Sequence, residues 1–124
     1  MKQKISSAEL TIMETLWDDN PLAASDVADR LPPDTGWSIR TVKTLLSRLV
    51  DKGALATEPD GRRFLYSPLV SRKDYASKQA RTLSNRLFGG RAAPLVAHLA
   101  ESGGLTDEDI ADLEAIIQEL KNER

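Results

Sequence analysis

Residues 37–53 constrain the fold of this chain more than any other segment. When they are projected at 100° per residue, the large apolar side chains fall within one arc: Val42, Leu45, Leu46, Leu49 and Val50. The opposite arc carries Arg40, Thr44, Ser47, Arg48 and Asp51, with Thr41 and Lys43 at its edges. Ser38 precedes the segment as an N-cap residue, and Gly53 follows it as a C-terminal stop. We therefore predict an amphipathic helix with one face in a core and the other free to meet a polar partner.

Two further helices are predicted before this one. Ser6 and Glu9 have the spacing of a capping box, and the helix behind them ends at the Asp-Asp-Asn-Pro sequence of residues 18–21. Its apolar residues recur at helical spacing and are assigned to the core: Leu10, Met13, Leu16 and Trp17. A shorter helix is predicted over residues 25–31, and the Pro-Pro-Asp-Thr-Gly sequence that follows it forms a loop.

A β-hairpin is predicted after the third helix. Residues 55–57 and 64–66 have strand character, and the Glu-Pro-Asp-Gly sequence at 58–61 is typical of a turn. Arg62 and Arg63 follow directly, which makes the tip of the hairpin basic. Three helices followed by a hairpin is the element order of a winged helix-turn-helix domain. The fold class is therefore predicted to be mainly α with a small β-hairpin.

The rest of the chain is predicted to be helical. Segments over residues 75–88, 93–100 and from 106 onward are separated by Gly-Gly pairs. They bear more apolar surface than so small a unit can cover, and the side chains assigned to pairing with a second copy are Leu95, Leu99, Ile110, Leu113, Ile116, Ile117 and Leu120. We expect a homodimer, with a winged-helix DNA-binding domain at 1–72 and a helical dimerisation domain at 73–124. The alternative is that these helices fold back onto the N-terminal domain.

Basic residues cluster in the middle of the chain. The formal net charge of the 124 residues is −2, but residues 36–73 contain eight basic and three acidic side chains, for a net charge of +5. Such a patch supplies the positive field that phosphate contact requires. Charge alone leaves open the alternative that the basic residues cluster by chance on a solvated surface. Because the patch includes the outer face of the third helix and the hairpin tip, the arrangement favours double-stranded operator DNA as the partner.

An α-helix fits the major groove of B-DNA, and residues near its N-terminus reach the base edges. We predict that Arg40 and Lys43 bind guanine, and that Thr41 and Thr44 contact a phosphate or a thymine methyl group. Arg48 is assigned to a phosphate, and the two hairpin arginines to the DNA backbone or the adjacent minor groove. The predicted DNA-binding residues are Ser38, Arg40, Thr41, Lys43, Thr44, Ser47, Arg48, Arg62 and Arg63.

Composition and missing motifs argue against several other classes. The chain has no cysteine and one histidine, which excludes disulfides and thiolate metal sites. It has no Gly-rich phosphate loop, Ser-His-Asp set or zinc motif, so we predict neither an enzyme nor a cofactor or metal. Residues 1–4 lead into an amphipathic stretch, and no apolar run approaches the ~18 residues of a membrane span. We expect a cytoplasmic protein without membrane contact.

Taken together, these motifs resemble the penicillinase-repressor family of bacterial regulators, of the BlaI/MecI type. The resemblance extends from about Ile5 to the C-terminus and is most specific over residues 37–53. There a tryptophan, a basic-Thr-x-basic-Thr sequence and a Leu-x-x-Lys-Gly sequence coincide. The resemblance implies a transcriptional repressor with an N-terminal winged helix on a palindromic operator and a C-terminal dimerisation module. It places base contacts on Arg40, Thr41 and Lys43.

Two departures from the family pattern bear on regulation. In antibiotic-responsive members, a regulatory protease ends repression by cutting an Asn-Phe bond in the dimerisation module. The corresponding residues here are His98 and Leu99, so the implied cleavage position lacks that pair. Copper-responsive relatives carry Cys-x-Cys pairs, and their absence here excludes a thiolate-based copper response. As the only histidine, His98 makes a poor metal site, and we assign it to ordinary packing.

Two other functions stay open as alternatives. The first is a winged-helix regulator that releases DNA when a small molecule binds, although 5% aromatic residues and short C-terminal helices offer little for a drug-sized cavity. The second is a winged helix that makes only protein contacts. Loss of DNA binding on substitution of Arg40 and Lys43 distinguishes DNA recognition from the second alternative.

Overall fold

The computed structural model describes residues 4–123; residues 1–3, with which the first predicted domain begins, and residue 124 lie outside this range. The helices are α1 (Ser7–Asp18), α2 (Ala24–Arg30), α3 (Ile39–Asp51), α4 (Arg72–Phe88), α5 (Ala92–Glu101) and α6 (Asp107–Asn122). The strands are β1 (Leu22–Ala23), β2 (Leu55–Asp60) and β3 (Arg63–Pro68), and a single 3₁₀ turn occupies Pro33–Thr35. The fold is thus mainly helical with a small antiparallel sheet, as predicted.

Local signals in the sequence place the helix ends well. At the start of α1, the Ser6 side chain accepts a hydrogen bond from the Glu9 backbone N–H at 3.2 Å, and the Ser6 N–H donates to Glu9 Oε1 at 2.8 Å. Thr106 and Asp109 make the equivalent pair of bonds at the start of α6. The capping box predicted at the start of α1 is confirmed, and a second capping box begins α6. Each satisfies backbone donors that the first turn of a helix leaves free.

The sheet corrects the predicted hairpin in two respects. The strands are longer than expected, and the turn consists of Gly61 and Arg62 instead of residues 58–61. Gly61 has a φ of +64°, which a glycine adopts without strain at this turn position. Pro59 lies within β2 because β2 is an edge strand, where a missing N–H costs no ladder bond. Arg63 therefore begins β3 and does not lie in the turn.

A third strand extends the hairpin on its other side. The two residues of β1 pair antiparallel with β3, Leu22 opposite Tyr66 and Ala23 opposite Leu65, so that the strand order is β1-β3-β2. No strand is predicted there from the sequence. Two residues are too few to show an alternating pattern, and their partners lie more than forty positions away. The strand ties the start of α2 to the hairpin.

The hydrophobic core lies between α1, α2, α3 and the base of the hairpin. Its buried members are Ile5, Ile12, Met13, Leu16, Leu22, Val27, Val42, Leu45, Leu46, Leu49, Ala54, Leu55 and Tyr75. Four of the five apolar residues predicted for α3 are among them. In α1 the buried arc is centred on Ile12, Met13 and Leu16. Leu10 and Trp17, both predicted to be core residues, lie at the edge of that arc and are only half-buried.

An ion pair joins the start of α1 to the end of α3. The Lys52 ammonium donates to Glu9 Oε1 at 2.5 Å and to the Lys4 carbonyl at 2.8 Å, and the Glu9 carboxylate is almost fully buried. Burial by itself raises the pKa of Glu9. Hydrogen bonds from Lys52 and Ser6, with the positive charge of Lys52, outweigh burial and lower the pKa below its ordinary value of 4.5. The ion pair therefore fixes where α3 ends relative to α1.

We expect Glu9→Gln to lower the free energy of unfolding by about 3 kcal/mol at pH 7, because it leaves the Lys52 ammonium without its partner while keeping the capping hydrogen bonds. The stabilising effect of a lowered carboxyl pKa is present above pH 4.5 and is lost as the pH falls through the folded-state value. Urea unfolding at pH 7 and pH 3.5 should therefore show the difference between the variant and the parent shrinking at the lower pH. Glu14→Gln, on the exposed side of α1, is the matched control. If the free energies of unfolding of Glu9→Gln and the parent differ equally at both pH values, the ionised Glu9 carboxylate is not what stabilises the fold.

The chain divides into two compact units after Ala76, within α4. That helix begins at Arg72, three residues before its expected start, and ends before Gly89 and Gly90. Within the second unit, α5 and α6 contain no buried residue, although both are rich in aliphatic side chains. The aliphatic side chains of α5 and α6 therefore remain at least partly exposed in a single copy of the chain.

Candidate DNA-binding surface

The N-terminus of α3 is fixed by local hydrogen bonds. Ser38 is the N-cap residue, and its hydroxyl oxygen accepts a hydrogen bond from the Thr41 N–H at 3.2 Å. The Ser38 and Thr41 hydroxyl groups are also 3.2 Å apart. The other end of α3 is closed by Gly53, at a φ of +79°, with the Ala54 N–H donating to the Leu49 carbonyl at 2.9 Å. The helix therefore presents a defined set of residues on its outer face.

The outer face of α3 carries an open groove lined by basic residues. All seven residues predicted to bind DNA from this helix and its cap are exposed. A surface groove of about 520 Å³ is lined by Ile39, Arg40, Lys43, Thr44, Ser47 and Arg48. The lining has three positive charges and no negative charge. The Thr44 hydroxyl donates to the Arg40 carbonyl at 3.0 Å, so its proton is used within the helix while its oxygen can still accept a hydrogen bond.

The two hairpin arginines differ in their surroundings. Arg63 forms ion pairs with Asp60 at 3.2 Å and with Asp26 at 3.8 Å. Arg62 lies in the turn, is exposed, and forms no salt bridge with any residue from 4 to 123. The sequence predicts the same role for both arginines, because the pairing of Arg63 with Asp26 and Asp60 arises only when the hairpin folds and packs beside α2. Arg62 is thus the freer of the two cations.

A second groove lies between α3, the start of α2 and the hairpin. Its volume is about 410 Å³, and it is lined by Ala23, Ala24, Ser25, Ile39, Lys43, Arg62, Arg63, Phe64 and Tyr66. Lys43 and Ile39 line both grooves, so the two grooves adjoin at the N-terminal half of α3. Ile39 and Phe64 are exposed apolar residues in this otherwise cationic surface. The sequence patterns assign a function to neither residue, because Ile39 is not among the apolar residues predicted for the core face of α3 and Phe64 is predicted only as part of a strand.

The residues predicted for dimerisation are distributed over α5 and α6. Leu95 and Leu113 are half-buried, whereas the others are exposed: Leu99, Ile110, Ile116, Ile117 and Leu120. Leu99, Leu113 and Ile116 line a shallow groove of about 380 Å³ within the second unit. His98 lies beside Phe88, with 5.2 Å between ring centroids. This contact is an ordinary packing interaction and gives His98 no ligand-binding role.

Two other kinds of feature, a metal-binding cluster and a membrane-spanning helix, are absent from the described residues. Between residues 4 and 123, no group of three or more His, Cys, Asp or Glu side chains is arranged to hold a metal ion. In the same part of the chain, every helix is too short or too polar to cross a membrane. Among the described residues, the cationic grooves around α3 are the candidate functional site.

Comparison with protein families decides the classification. The model of the family described as penicillinase repressor matches residues 5–119. The chain belongs to the penicillinase repressor family. The match spans both units, so the resemblance drawn from the motifs is confirmed. This family consists of DNA-binding transcriptional repressors, which are not a class of enzymes.

Relatives in this family align over nearly their whole length. The penicillinase repressor of Bacillus licheniformis is 33% identical over 121 residues, which cover 98% of this chain and 94% of the relative. The methicillin resistance regulatory protein MecI of Staphylococcus aureus strain N315 is 29% identical over 114 residues, covering 92% of this chain and 93% of MecI. The chain is accordingly a transcriptional repressor.

Two solved structures from this family align with the N-terminal part of the chain. The DNA-binding domain of the repressor BlaI gives a TM-score of 0.53 at 38% identity, covering 60% of this chain and 94% of that domain. Monomeric BlaI of Bacillus licheniformis in complex with the blaP half-operator gives a TM-score of 0.51 at 36% identity, covering 60% of this chain and 92% of that one. The predicted winged-helix fold is thereby confirmed.

Proposed function

We propose that this repressor binds a two-fold symmetric operator as a homodimer, with α3 of each protomer in the major groove. The observation that carries the proposal is the exposed, cationic outer face of α3, with three positive charges and no negative charge lining its groove. The half-operator complex of its relative BlaI supports operator DNA as the ligand. A dimer of this kind contacts two half-sites about 34–36 Å apart, on one side of the duplex.

Within this proposal, the exposed residues divide into base contacts and backbone contacts. Arg40 and Lys43 lie in the first turn and a half of α3 and bind guanine O6 and N7, whereas Thr41 and Thr44 contact a phosphate or a thymine methyl group. The remaining members of the set position the helix on the backbone: Ser38, Ser47, Arg48, Arg62 and Arg63. Ser38 contributes mainly as the cap that holds the first turn, since its hydroxyl already accepts from Thr41. Because acidic partners hold Arg63, Arg62 makes the stronger phosphate contact.

The homodimer is proposed from the exposed apolar side chains of the C-terminal unit. Five of the seven residues assigned to the interface are exposed, and α5 and α6 contain no buried residue among those described. Exposed apolar surface of this extent marks an interaction site on a folded protein. A second copy supplies a matching surface, because a two-fold interface places the same patch on both subunits.

A regulatory protease is the proposed route to derepression, with the bond between His98 and Leu99 as the site that the resemblance to antibiotic-responsive members implies. This bond lies inside α5, where the Ser102 N–H donates to the His98 carbonyl at 3.2 Å and the Gly104 N–H donates to the Leu99 carbonyl at 3.0 Å. Proteases cut locally opened chain far more readily than intact helix. Cleavage here therefore requires that the C-terminal turn of α5 first unfolds.

Footprinting on the DNA upstream of the gene for this chain tests the proposal. We expect protection of a site with two-fold symmetry whose half-sites are centred one helical turn, or a whole number of turns, apart. A titration with the same duplex should show affinity that falls steeply between 50 and 200 mM salt, as expected for several phosphate contacts. A protein that binds no duplex at low salt is not a repressor acting through α3. An asymmetric, single half-site footprint contradicts the dimer.

A further inference from the structure

Ile39 is an exposed aliphatic residue at the N-terminus of α3. It is the first residue of the helix and its relative exposure is 45%, whereas Val42, Leu45, Leu46 and Leu49 of the same helix are buried. A single exposed aliphatic side chain is common on protein surfaces. Its position is the unusual feature, because the first residues of a groove-binding helix are the ones that reach base edges.

The surroundings of Ile39 are cationic and suit an anionic ligand such as duplex DNA. It lines one groove with Arg40 and Lys43, and the second groove with Arg62 and the 53%-exposed Phe64. An aliphatic side chain with cations on two sides fits a ligand that is anionic overall and presents a small apolar group. In the major groove, the only apolar group on a base edge is the C5 methyl group of thymine.

We propose that Ile39 contacts the 5-methyl group of one thymine in each half-site, so that operator recognition depends on that methyl group. The inference rests on the proposed placement of α3 in the major groove and adds an apolar determinant to the polar contacts of Arg40 and Lys43. Ile39 and Lys43 are one turn apart, about 6 Å along the helix axis. The thymine therefore lies within about two base pairs of the bases that Arg40 and Lys43 contact.

The expected size of the effect follows from the area of one methyl group. Removing a single methyl from an apolar contact lowers binding about fourfold. The change is small beside the loss of a bidentate hydrogen bond, but it is specific to one position in each half-site. A scan of single-atom changes in the DNA can therefore detect it without disturbing the protein.

The test uses the duplex that the wild-type chain selects from a random-sequence pool. Each thymine of one half-site is replaced singly by deoxyuridine, which lacks only the 5-methyl group, and each dissociation constant is measured. For the wild-type chain we expect about fourfold weaker binding at the thymine that Ile39 contacts, and little change elsewhere except at a thymine whose methyl group Thr41 or Thr44 contacts. Ile39→Ala should bind the thymine and deoxyuridine duplexes equally at that position, and Ile39→Val should keep most of the difference.

Controls separate recognition of the methyl group from a general loss of DNA affinity. Phe64→Ala changes the other exposed apolar residue of the second groove and should retain the deoxyuridine effect at the Ile39 position. Thermal unfolding should show all three variants folded, since both side chains are about half exposed. A wild-type chain insensitive to deoxyuridine, or an Ile39→Ala variant with unchanged sensitivity, overturns the inference while operator binding stands. If the wild-type chain selects no duplex, the proposed function itself fails and the inference fails with it.

Discussion

Replacing both Arg40 and Lys43 with alanine is expected to abolish sequence-selective DNA binding while leaving the protein folded. Each side chain is exposed on the groove of α3 and is assigned a guanine contact, and a good contact of this type contributes about 1–3 kcal/mol of discrimination. The double variant should therefore lose about 2–6 kcal/mol of preference for operator over scrambled DNA. Fluorescence anisotropy with the two duplexes measures this preference. The melting temperature should change little, because exposed substitutions seldom alter stability by more than about 0.5 kcal/mol.

The hairpin provides the matched control for lost charge. Arg62→Ala removes one positive charge from an exposed turn, as Arg40→Ala does from α3, but Arg62 is assigned a phosphate contact. We expect Arg62→Ala to bind the operator and the scrambled duplex more weakly by the same factor. The slope of the logarithm of the binding constant against the logarithm of the salt concentration should fall by about one, as expected for the loss of one phosphate contact. Arg40→Ala should mainly weaken the operator. If both variants reduce the two affinities in the same proportion, α3 does not select the sequence.

The second large effect is expected from Ile117→Asp in α6. Ile117 is 51% exposed on the apolar face that includes Ile110 and Leu120, so the variant introduces a carboxylate at the centre of the proposed dimer interface. We expect a monomer by sedimentation. Affinity for the full operator should fall at least 100-fold, because the second half-site contact is no longer tethered to the first.

Gln118→Asp is the control for this variant. Gln118 is the next residue of the same helix and lies on its polar side, where it donates to Asn122 at 3.3 Å. The added charge is the same, so we expect an unchanged dimer. Binding to an isolated half-site duplex should also be the same for Ile117→Asp and the parent chain. A dimeric Ile117→Asp variant, or one whose full-operator affinity is unchanged, rules out this face as the interface.

Much of the helical architecture could be derived from the sequence because its signals are local. Capping boxes join residues three positions apart, and apolar residues three and four positions apart share a helix face. The buried residues of α3 and the exposure of its cationic side were both predicted in this way. The length of the hairpin strands could not be predicted in this way. Pro59 has the character of a turn residue unless the strand around it is known to lie at the edge of the sheet.

Local patterns in the chain were enough to predict the family, the three helices of the winged domain and the surface on which cationic residues gather. Only the tertiary structure showed that Glu9 and Lys52 form a buried ion pair, that β1 extends the hairpin, and that acidic residues hold Arg63. It also revealed that Ile39 and Phe64 line one groove. The physical reason is distance along the chain. A helix is built from interactions within four residues, whereas these contacts join residues that meet only when the core brings separate elements together.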